Sequence, residues 1–166
     1  MNISALIDNF SPQGSPFGTH VNLLCALGPG IKTVLELGAG AFSTSLFLDR
    51  DYYPDLIELT TIEQDREWVL AGADPRHKVV IEPEPIEPFL EGVLDLDSFD
   101  LIFVDNSTFG ERRCDTLRWL AKHVGRSLVV AHDFNVLSYA EAAGGFDCKI
   151  IDDRQVPWTA LLWRTR

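Results

Sequence analysis

The stretch TVLELGAGAFST, residues 33–44, decides the fold class of this chain of 166 residues. An apolar, β-branched run ends at Leu37, the backbone bends at Gly38-Ala39-Gly40, and Ser43 and Thr44 can cap a following helix. Two glycines in a strand-to-helix turn allow a tight bend and let a ligand approach bare backbone. The stretch therefore predicts a strand–turn–helix unit with a ligand site in its turn.

The rest of the chain repeats this alternation of apolar runs and helical patterns, which is typical of parallel βαβ units. We expect the first four strands to be nearly all apolar and buried on both faces. The linker 153–158 is too short for a helical crossover, so the last two strands should be antiparallel. Further strands are predicted near 59–63, 78–81, 100–105, 127–131, 147–152 and 159–164, and helices near 18–27, 43–48, 66–71, 114–124 and 136–143.

Net charge, hydropathy and cysteine content restrict the partners and the cellular location that we expect for this chain. The formal net charge is −11, and an acidic surface repels phosphate backbones, so we expect no nucleic-acid partner. No apolar stretch reaches the length of a membrane span, and no signal peptide is evident, so we expect no membrane partner. The three cysteines are widely spaced and odd in number, which favours free thiols in a reducing compartment. We therefore expect a cytoplasmic protein.

Glu63 follows the second predicted strand, at the edge where ligands bind in such sheets. A carboxylate there can accept hydrogen bonds from both hydroxyls of a ribose. A dinucleotide fingerprint would need a third glycine at position 43, where this chain has Ser43. The glycine turn and Glu63 together favour an adenosine-containing cofactor over a plain tight turn.

Four segments together resemble the class I S-adenosylmethionine-dependent methyltransferases, in a branch that acts on small molecules. They are ELGAGAFST at 36–44, TIE at 61–63, FVDN at 103–106 and VAHDF at 130–134. The closing antiparallel pair also matches the family. The chain departs from the pattern where no glycine precedes His132, where Asn106 replaces a common glycine, and where no substrate lid is evident.

The resemblance implies a single domain over residues 1–166, with an N-terminal helical or loop segment at 1–30 and a Rossmann-like core at 31–166. The core would be a three-layer sandwich around a mostly parallel seven-stranded sheet. Its strand order would be 3-2-1-4-5-7-6, with only strand 7 antiparallel. The cofactor would be S-adenosyl-L-methionine, the substrate a small molecule, and the missing lid could come from the partner in a homodimer.

Cofactor contacts follow from the resemblance by position. Glu36 would reach the ammonium group through water, and Glu63 would hold the ribose. An acid after the third strand usually meets the adenine amino group, for which Glu84 is chosen and Glu82 is the alternative. The complete set implied for the cofactor is Glu36, Gly38, Ala39, Gly40, Ser43, Glu63, Gln64, Glu84 and Asp105.

The catalytic candidates are His132, Asp105 and Asp133. Methyl transfer is an in-line displacement that often needs a proton removed from the acceptor. His132 suits a general base near neutral pH, with Asp105 or Asp133 supporting it, although a histidine at a strand end can also be purely structural. Asp105 would lie next to the methyl-bearing sulfonium.

Other interpretations stay open from the sequence alone. Asp105, Asp133 and Asn135 could hold magnesium as in catechol-type methyltransferases, but Phe134 splits the usual Asp-Asn pair, and we expect no metal. The four histidines show no ligand spacing for zinc. Arg112 and Arg113 could grip an anionic substrate or form a solvated helix start. The rival functions are a nicotinamide-dependent oxidoreductase and a non-catalytic binding module.

Overall fold

The computed structural model describes residues 18–165 except 71, 73, 82–89, 93–94 and 108–110. In this part of the chain the strands form one sheet of seven, in the order β3-β2-β1-β4-β5-β7-β6. The order and the Rossmann-like architecture are as predicted. The strands are β1 Thr33–Leu37, β2 Glu58–Glu63, β3 His77–Ile81, β4 Leu101–Val104, β5 Leu128–Ala131, β6 Cys148–Asp152 and β7 Thr159–Trp163.

Strand β1 lies in the middle of the sheet, parallel to both β2 and β4. Its last residue, Leu37, is in register with Ile62 of β2 and Val104 of β4. The three strands therefore end side by side. Residues that follow each strand meet at one edge, which is where ligands bind in open α/β sheets.

Strand β7 is antiparallel to both of its neighbours, β5 and β6. The short linker 153–158 predicted the β6–β7 pairing, and the family resemblance implied that strand 7 is the reversed one. The linker contains no helix. It crosses back over the end of β5, where the backbone N–H of Phe134 donates to the carbonyl of Trp158 at 2.9 Å. The hairpin thus contributes to the same sheet edge as the glycine turn.

The described helices lie on both faces of the sheet. They include α1 Val21–Leu27, α2 Ser43–Leu48, α3 Glu111–His123 and α4 Leu137–Ala142. The helix expected at 66–71 was predicted wrongly. The structure has a single 3₁₀ turn there, Arg66–Trp68, and residue 71 lies outside the described residues. Asp65 caps this turn by accepting from the backbone N–H of Glu67, and extended backbone at Val69 ends it.

Alternating side chains of the central strands supply two separate cores. On β1, Leu35 and Leu37 pack in the core that contains α3, whereas Val34 packs in the core that contains α1 and α2. This is the three-layer arrangement, with a helical layer on each face of the sheet. None of the helices in the described part of the chain is long and apolar enough to cross a membrane.

The predicted burial of strand β3 is also wrong. The strand was expected to be buried on both faces, but it forms one edge of the sheet and its residues are half-buried or exposed. His77 and Lys78 begin the strand, and Lys78 pairs with Glu58 on the exposed surface. An edge strand has a neighbouring strand on one side only. The apolar residues of β3 did not show that it lies at the edge.

The turn after β1 depends on the missing side chain of Gly38. Its φ is +91°, and a Cβ there would lie 2.6 Å from the carbonyl oxygen of Asp105. The backbone N–H of Gly38 donates to Ile62, and that of Asp105 donates to Leu37. The glycine thus lets the ends of β1 and β4 close against each other.

We predict that Gly38→Ala destabilises the protein much more than Gly30→Ala does. Gly30 has a similar φ of +87°, but nothing lies within 4 Å of the Cβ position, so it isolates the backbone effect. Positive φ disfavours alanine by ~1–2 kcal/mol, and overpacking adds ~1–3 kcal/mol at Gly38 only. Urea unfolding followed by circular dichroism measures both free energies of unfolding. Equal losses would show that Gly38 does not hold the two strand ends together.

Candidate functional site

The carboxyl edge of the sheet brings together the turn at 38–40, Asp105 after β4, and His132 and Asp133 after β5. The backbone N–H of His132 donates to Val104 at 3.1 Å, which continues the β4–β5 pairing by one residue. Asp133 adopts a left-handed backbone with φ +58°. The structure therefore gathers at one edge the residues that the sequence motifs singled out after β1, β4 and β5.

Arg113 ties the loops after β4 and β5 together. Its side chain is only 2% exposed and extends from α3 towards the sheet edge. Nε donates to the Asn106 carbonyl at 2.9 Å, and Nη2 donates to the Ser107 carbonyl at 2.7 Å and lies 2.9 Å from Asp105 Oδ1. Nη1 lies 2.6 Å from Asp133 Oδ2. One guanidinium thus joins two carboxylates and two loops.

This placement corrects the sequence-based alternatives for Arg113. The residue is neither a solvated helix start nor a free cation for an anionic substrate, because two carboxylates already pair with it. Its guanidinium also lies 5.3 Å from the centre of the Tyr139 ring. Arg112, the neighbouring candidate, is exposed. Adjacent residues on a helix point to different sides, which accounts for the burial of Arg113 beside an exposed neighbour.

Asp105 lies beside the turn with its side chain 27% exposed. Burial raises its pKa, but the hydrogen bond from His132 and the charges of His132, Arg113 and His20 outweigh burial and leave the pKa below its ordinary value. Asp105 is therefore an ionised carboxylate at neutral pH. Its negative charge at this sheet edge can attract a cationic group.

Both ring nitrogens of His132 have partners. Nδ1 lies 3.2 Å from Asp105 Oδ1, and Nε2 lies 2.9 Å from the hydroxyl of Thr19. The Thr19 hydroxyl also donates to the Pro157 carbonyl at 2.6 Å, which links the start of the described chain to the β6–β7 linker. The base role of His132 stays a prediction, and it requires the Thr19 contact to open before Nε2 can meet an acceptor.

Glu36 lies inside the protein, fully buried beneath the turn. Three hydroxyl groups donate to its carboxylate, from Ser43 at 2.6 Å, Thr61 at 2.6 Å and Thr44 at 2.9 Å. Burial raises the pKa of Glu36 to about 7, and the three hydroxyl hydrogen bonds oppose that rise only in part. In this arrangement Glu36 and Ser43 brace the turn, and their contact with a cofactor stays a prediction.

Glu63 also holds the turn. Its carboxylate accepts from the backbone N–H of Ala39 at 2.6 Å, of Gln64 at 2.7 Å and of Asp65 at 2.9 Å. A carboxylate has about four acceptor positions, so two ribose hydroxyls would have to replace at least one of these contacts. Gln64 Nε2 is buried and has no hydrogen-bond partner in the described part of the chain.

The remaining predicted residues divide by position. Gly40 lies in the turn and donates its backbone N–H to the Thr44 hydroxyl. Glu84 and its alternative Glu82 lie outside the described residues. The side-chain oxygens proposed for magnesium are used internally, since Asp133 pairs with Arg113 and Asn135 accepts from the backbone N–H of Trp158 at 3.1 Å.

Several residues at this edge were not found by sequence reasoning. Thr19 and His20 precede the first strand and carry no motif, yet His20 packs against His132 with ring centroids 4.7 Å apart. Thr61 was noted only as part of the TIE segment, although it bonds to Glu36. A signal was available for Thr44, which stands one turn after Gly40. For Thr19 and His20 we find none.

Comparison with solved structures identifies proteins of similar fold. The chain is similar to a "putative O-methyltransferase" from Klebsiella pneumoniae, with TM-score 0.61 and 19% identity over 99% of this chain and 90% of that one. The chain has the fold of class I methyltransferases. No protein-family model matches the sequence, and no curated protein matches it.

Two further structures share the methyltransferase fold. Cofactor-bound Rv0187 from MTB matches with TM-score 0.60 and 21% identity, over 99% of this chain and 88% of that one. A precorrin-6y C5,15-methyltransferase from Geobacter metallireducens matches with TM-score 0.56 and 11% identity, over 87% of each chain. At these identities the likeness establishes the fold and leaves the reaction to be argued from the site.

In this methyltransferase fold we predict that Arg113→Met lowers the free energy of unfolding by roughly 3–5 kcal/mol, because it leaves two carboxylates without their buried partner. Arg118→Met on the same helix is the control. Arg118 pairs with Asp115 on the surface, where both side chains are more than half exposed, and such pairs contribute ~0–1 kcal/mol. Urea unfolding compares the two variants. Similar losses would contradict the central role of Arg113.

The raised pKa of Glu36 predicts an unusual pH dependence. Between its ordinary pKa of 4.5 and its folded value of about 7, the folded protein binds more protons than the unfolded chain. This contribution to stability is therefore complete at low pH and is lost as pH rises through about 7. Glu36→Gln should remove it.

The test is the free energy of unfolding of wild type and Glu36→Gln from pH 5 to pH 8. We expect the wild type to lose on the order of 2–3 kcal/mol relative to the variant over this range. Parallel pH profiles would show that Glu36 titrates normally and that the three hydroxyls outweigh burial.

Proposed function

We propose that this chain binds S-adenosyl-L-methionine at the turn after β1 and transfers the methyl group to an oxygen of a small molecule. The observation that carries the proposal is the closure of Gly38 against the backbone of Asp105. It sets the glycine turn beside a carboxylate that is held ionised and partly exposed. A cationic sulfonium fits next to such a group.

The fold relatives support this choice without naming the acceptor. One is named as a putative O-methyltransferase, one as a precorrin methyltransferase, and one is cofactor-bound. The order of the motifs along this chain matches that family over most of its length. Oxygen is the proposed acceptor atom, because the side chains that could assist at this edge, His132 and two aspartates, suit removal of a hydroxyl proton.

The residues at the edge fit the groups of this cofactor. The buried Nε2 of Gln64, which has no hydrogen-bond partner among the described residues, supplies a donor where adenine is expected. Glu63 supplies acceptors for ribose hydroxyls. Ala39 and Gly40 leave the turn half-buried, open to the methionine portion. When bound, the cofactor supplies an activated methyl group on a positively charged sulfur.

The chain's own residues would then align and assist. Asp105 would face the sulfonium, with Arg113 and His132 holding its carboxylate in place. His132 would take the acceptor's proton once Thr19 moves from Nε2. With an acceptor in hand, His132→Gln should lower kcat by ~10²–10⁴ and leave the cofactor Kd unchanged. Wild-type turnover in this variant would mean that His132 is not the base and that catalysis rests on alignment of the acceptor with the methyl group alone.

We predict that S-adenosylhomocysteine, the demethylated product, binds the chain and that Glu63→Gln weakens binding. Loss of charge-assisted hydrogen bonds to ribose corresponds to ~1–3 kcal/mol, or about 5–150-fold in Kd. Glu58→Gln, at the opposite end of β2, is the control and should bind like wild type. Isothermal titration calorimetry measures each Kd.

A thermal-shift panel with S-adenosylhomocysteine, NAD and NADP separates the rival functions. Stabilisation by S-adenosylhomocysteine alone supports the proposal. Stabilisation by NAD or NADP alone would favour an oxidoreductase and overturn it. If S-adenosylhomocysteine binds equally well to wild type and Glu63→Gln, the cofactor lies elsewhere and the assignment of the turn is wrong.

A further inference from the structure

His20 is a buried imidazole without hydrogen bonds. It is 2% exposed, and neither Nδ1 nor Nε2 has a hydrogen-bond partner in the described part of the chain. Burial of an unsatisfied polar group destabilises a folded protein, and such groups are rare. Its ring packs against Phe103 and His132, with centroids 4.8 Å and 4.7 Å away. An unmet donor or acceptor here calls for a ligand.

Two further metal-binding side chains lie within reach of His20. One ligand atom from each of His20, Asp105 and His132 lies within 4.8 Å of the other two. Three atoms so placed share a point no more than about 2.8 Å from each. Zinc bonds to imidazole nitrogen at about 2.0–2.1 Å, so shifts below ~1 Å would bring all three atoms to bonding distance.

We propose that His20, His132 and Asp105 form a binding site for a divalent transition-metal ion of the zinc type. Two imidazoles and one carboxylate favour such an ion over magnesium, which prefers oxygen ligands. Three protein ligands leave a coordination position open for water or a ligand oxygen. Asp105 is 27% exposed, which opens the site to solvent on that side.

The surroundings of His132 and Asp105 suit this role. His132 Nε2 lies 2.9 Å from the Thr19 hydroxyl, and Asp105 forms an ion pair with Arg113. Metal-binding histidines usually hold a partner through the other ring nitrogen, which sets the orientation of the ring. With Nε2 held by Thr19, Nδ1 is the nitrogen directed at Asp105 and at the proposed ion.

This site differs from the magnesium set considered from the sequence, which used Asp105, Asp133 and Asn135. It is an alternative to the expectation that the chain binds no metal, which no residue spacing could reveal because residues 20, 105 and 132 come together only in the fold. It is also an alternative to the base role of His132, since a metal on Nδ1 leaves the proton on Nε2. The proposal does not depend on methyl transfer.

The test is a zinc titration of the untagged full-length chain after removal of metals with a chelator, followed by calorimetry. We expect one equivalent to bind. His20→Phe keeps the packing against Phe103 and should weaken zinc binding by at least ~100-fold, since loss of an outer-shell partner alone costs ~10–100-fold. His123→Gln, which changes an exposed histidine on α3, should bind zinc like wild type.

Asp105→Asn is a second ligand variant if His20→Phe fails to fold, which circular dichroism would reveal. It should show the same loss of zinc affinity. Cobalt(II) in place of zinc adds a spectroscopic check, because binding to cysteine gives an intense thiolate charge-transfer band. Absence of stoichiometric zinc binding would overturn the proposal. Unchanged affinity in these variants, or a thiolate band, would show that zinc binds elsewhere on the chain and would overturn it as well.

Discussion

The contact between the Arg113 guanidinium and the carboxylates of Asp105 and Asp133 is the constraint on which the functional edge depends. Arg113 is buried, so its charge has to be balanced by partners inside the protein. Its two ion pairs, at 2.9 Å and 2.6 Å, meet this need and at the same time fix the ends of β4 and β5. The loops that carry the catalytic candidates are thus positioned from α3.

A second constraint comes from the turn after β1. Gly38 lets the backbone approach Asp105, while Glu36 below and Glu63 beside the turn hold it with side-chain hydrogen bonds. The two acids have different surroundings. Hydroxyl groups donate to Glu36, and burial raises its pKa, whereas Glu63 accepts from the backbone N–H groups of Ala39, Gln64 and Asp65. Side-chain carboxylates therefore hold the turn from beneath and from its side.

The alternation of apolar runs with helical patterns predicted a parallel α/β sheet, and the short linker predicted the antiparallel pairing of the last two strands. The order of the strands followed from the resemblance to the methyltransferase family. Sequence reasoning misjudged β3, since apolar content does not distinguish an edge strand from a central one, and it misjudged the turn at Arg66–Trp68. Side-chain roles were harder. Arg113 stands next to an exposed arginine in sequence, and Thr19 and His20 meet His132 only through tertiary packing.

We propose above all that the turn after β1 holds an adenosine-containing cofactor. The most direct measurement is the set of backbone amide chemical-shift changes in ¹⁵N-labelled protein titrated with S-adenosylhomocysteine. We predict saturable chemical-shift changes concentrated at residues 38–40, Glu63, Gln64 and Asp105, with β6 unaffected. An absence of binding, or changes confined to another part of the sheet, would contradict it.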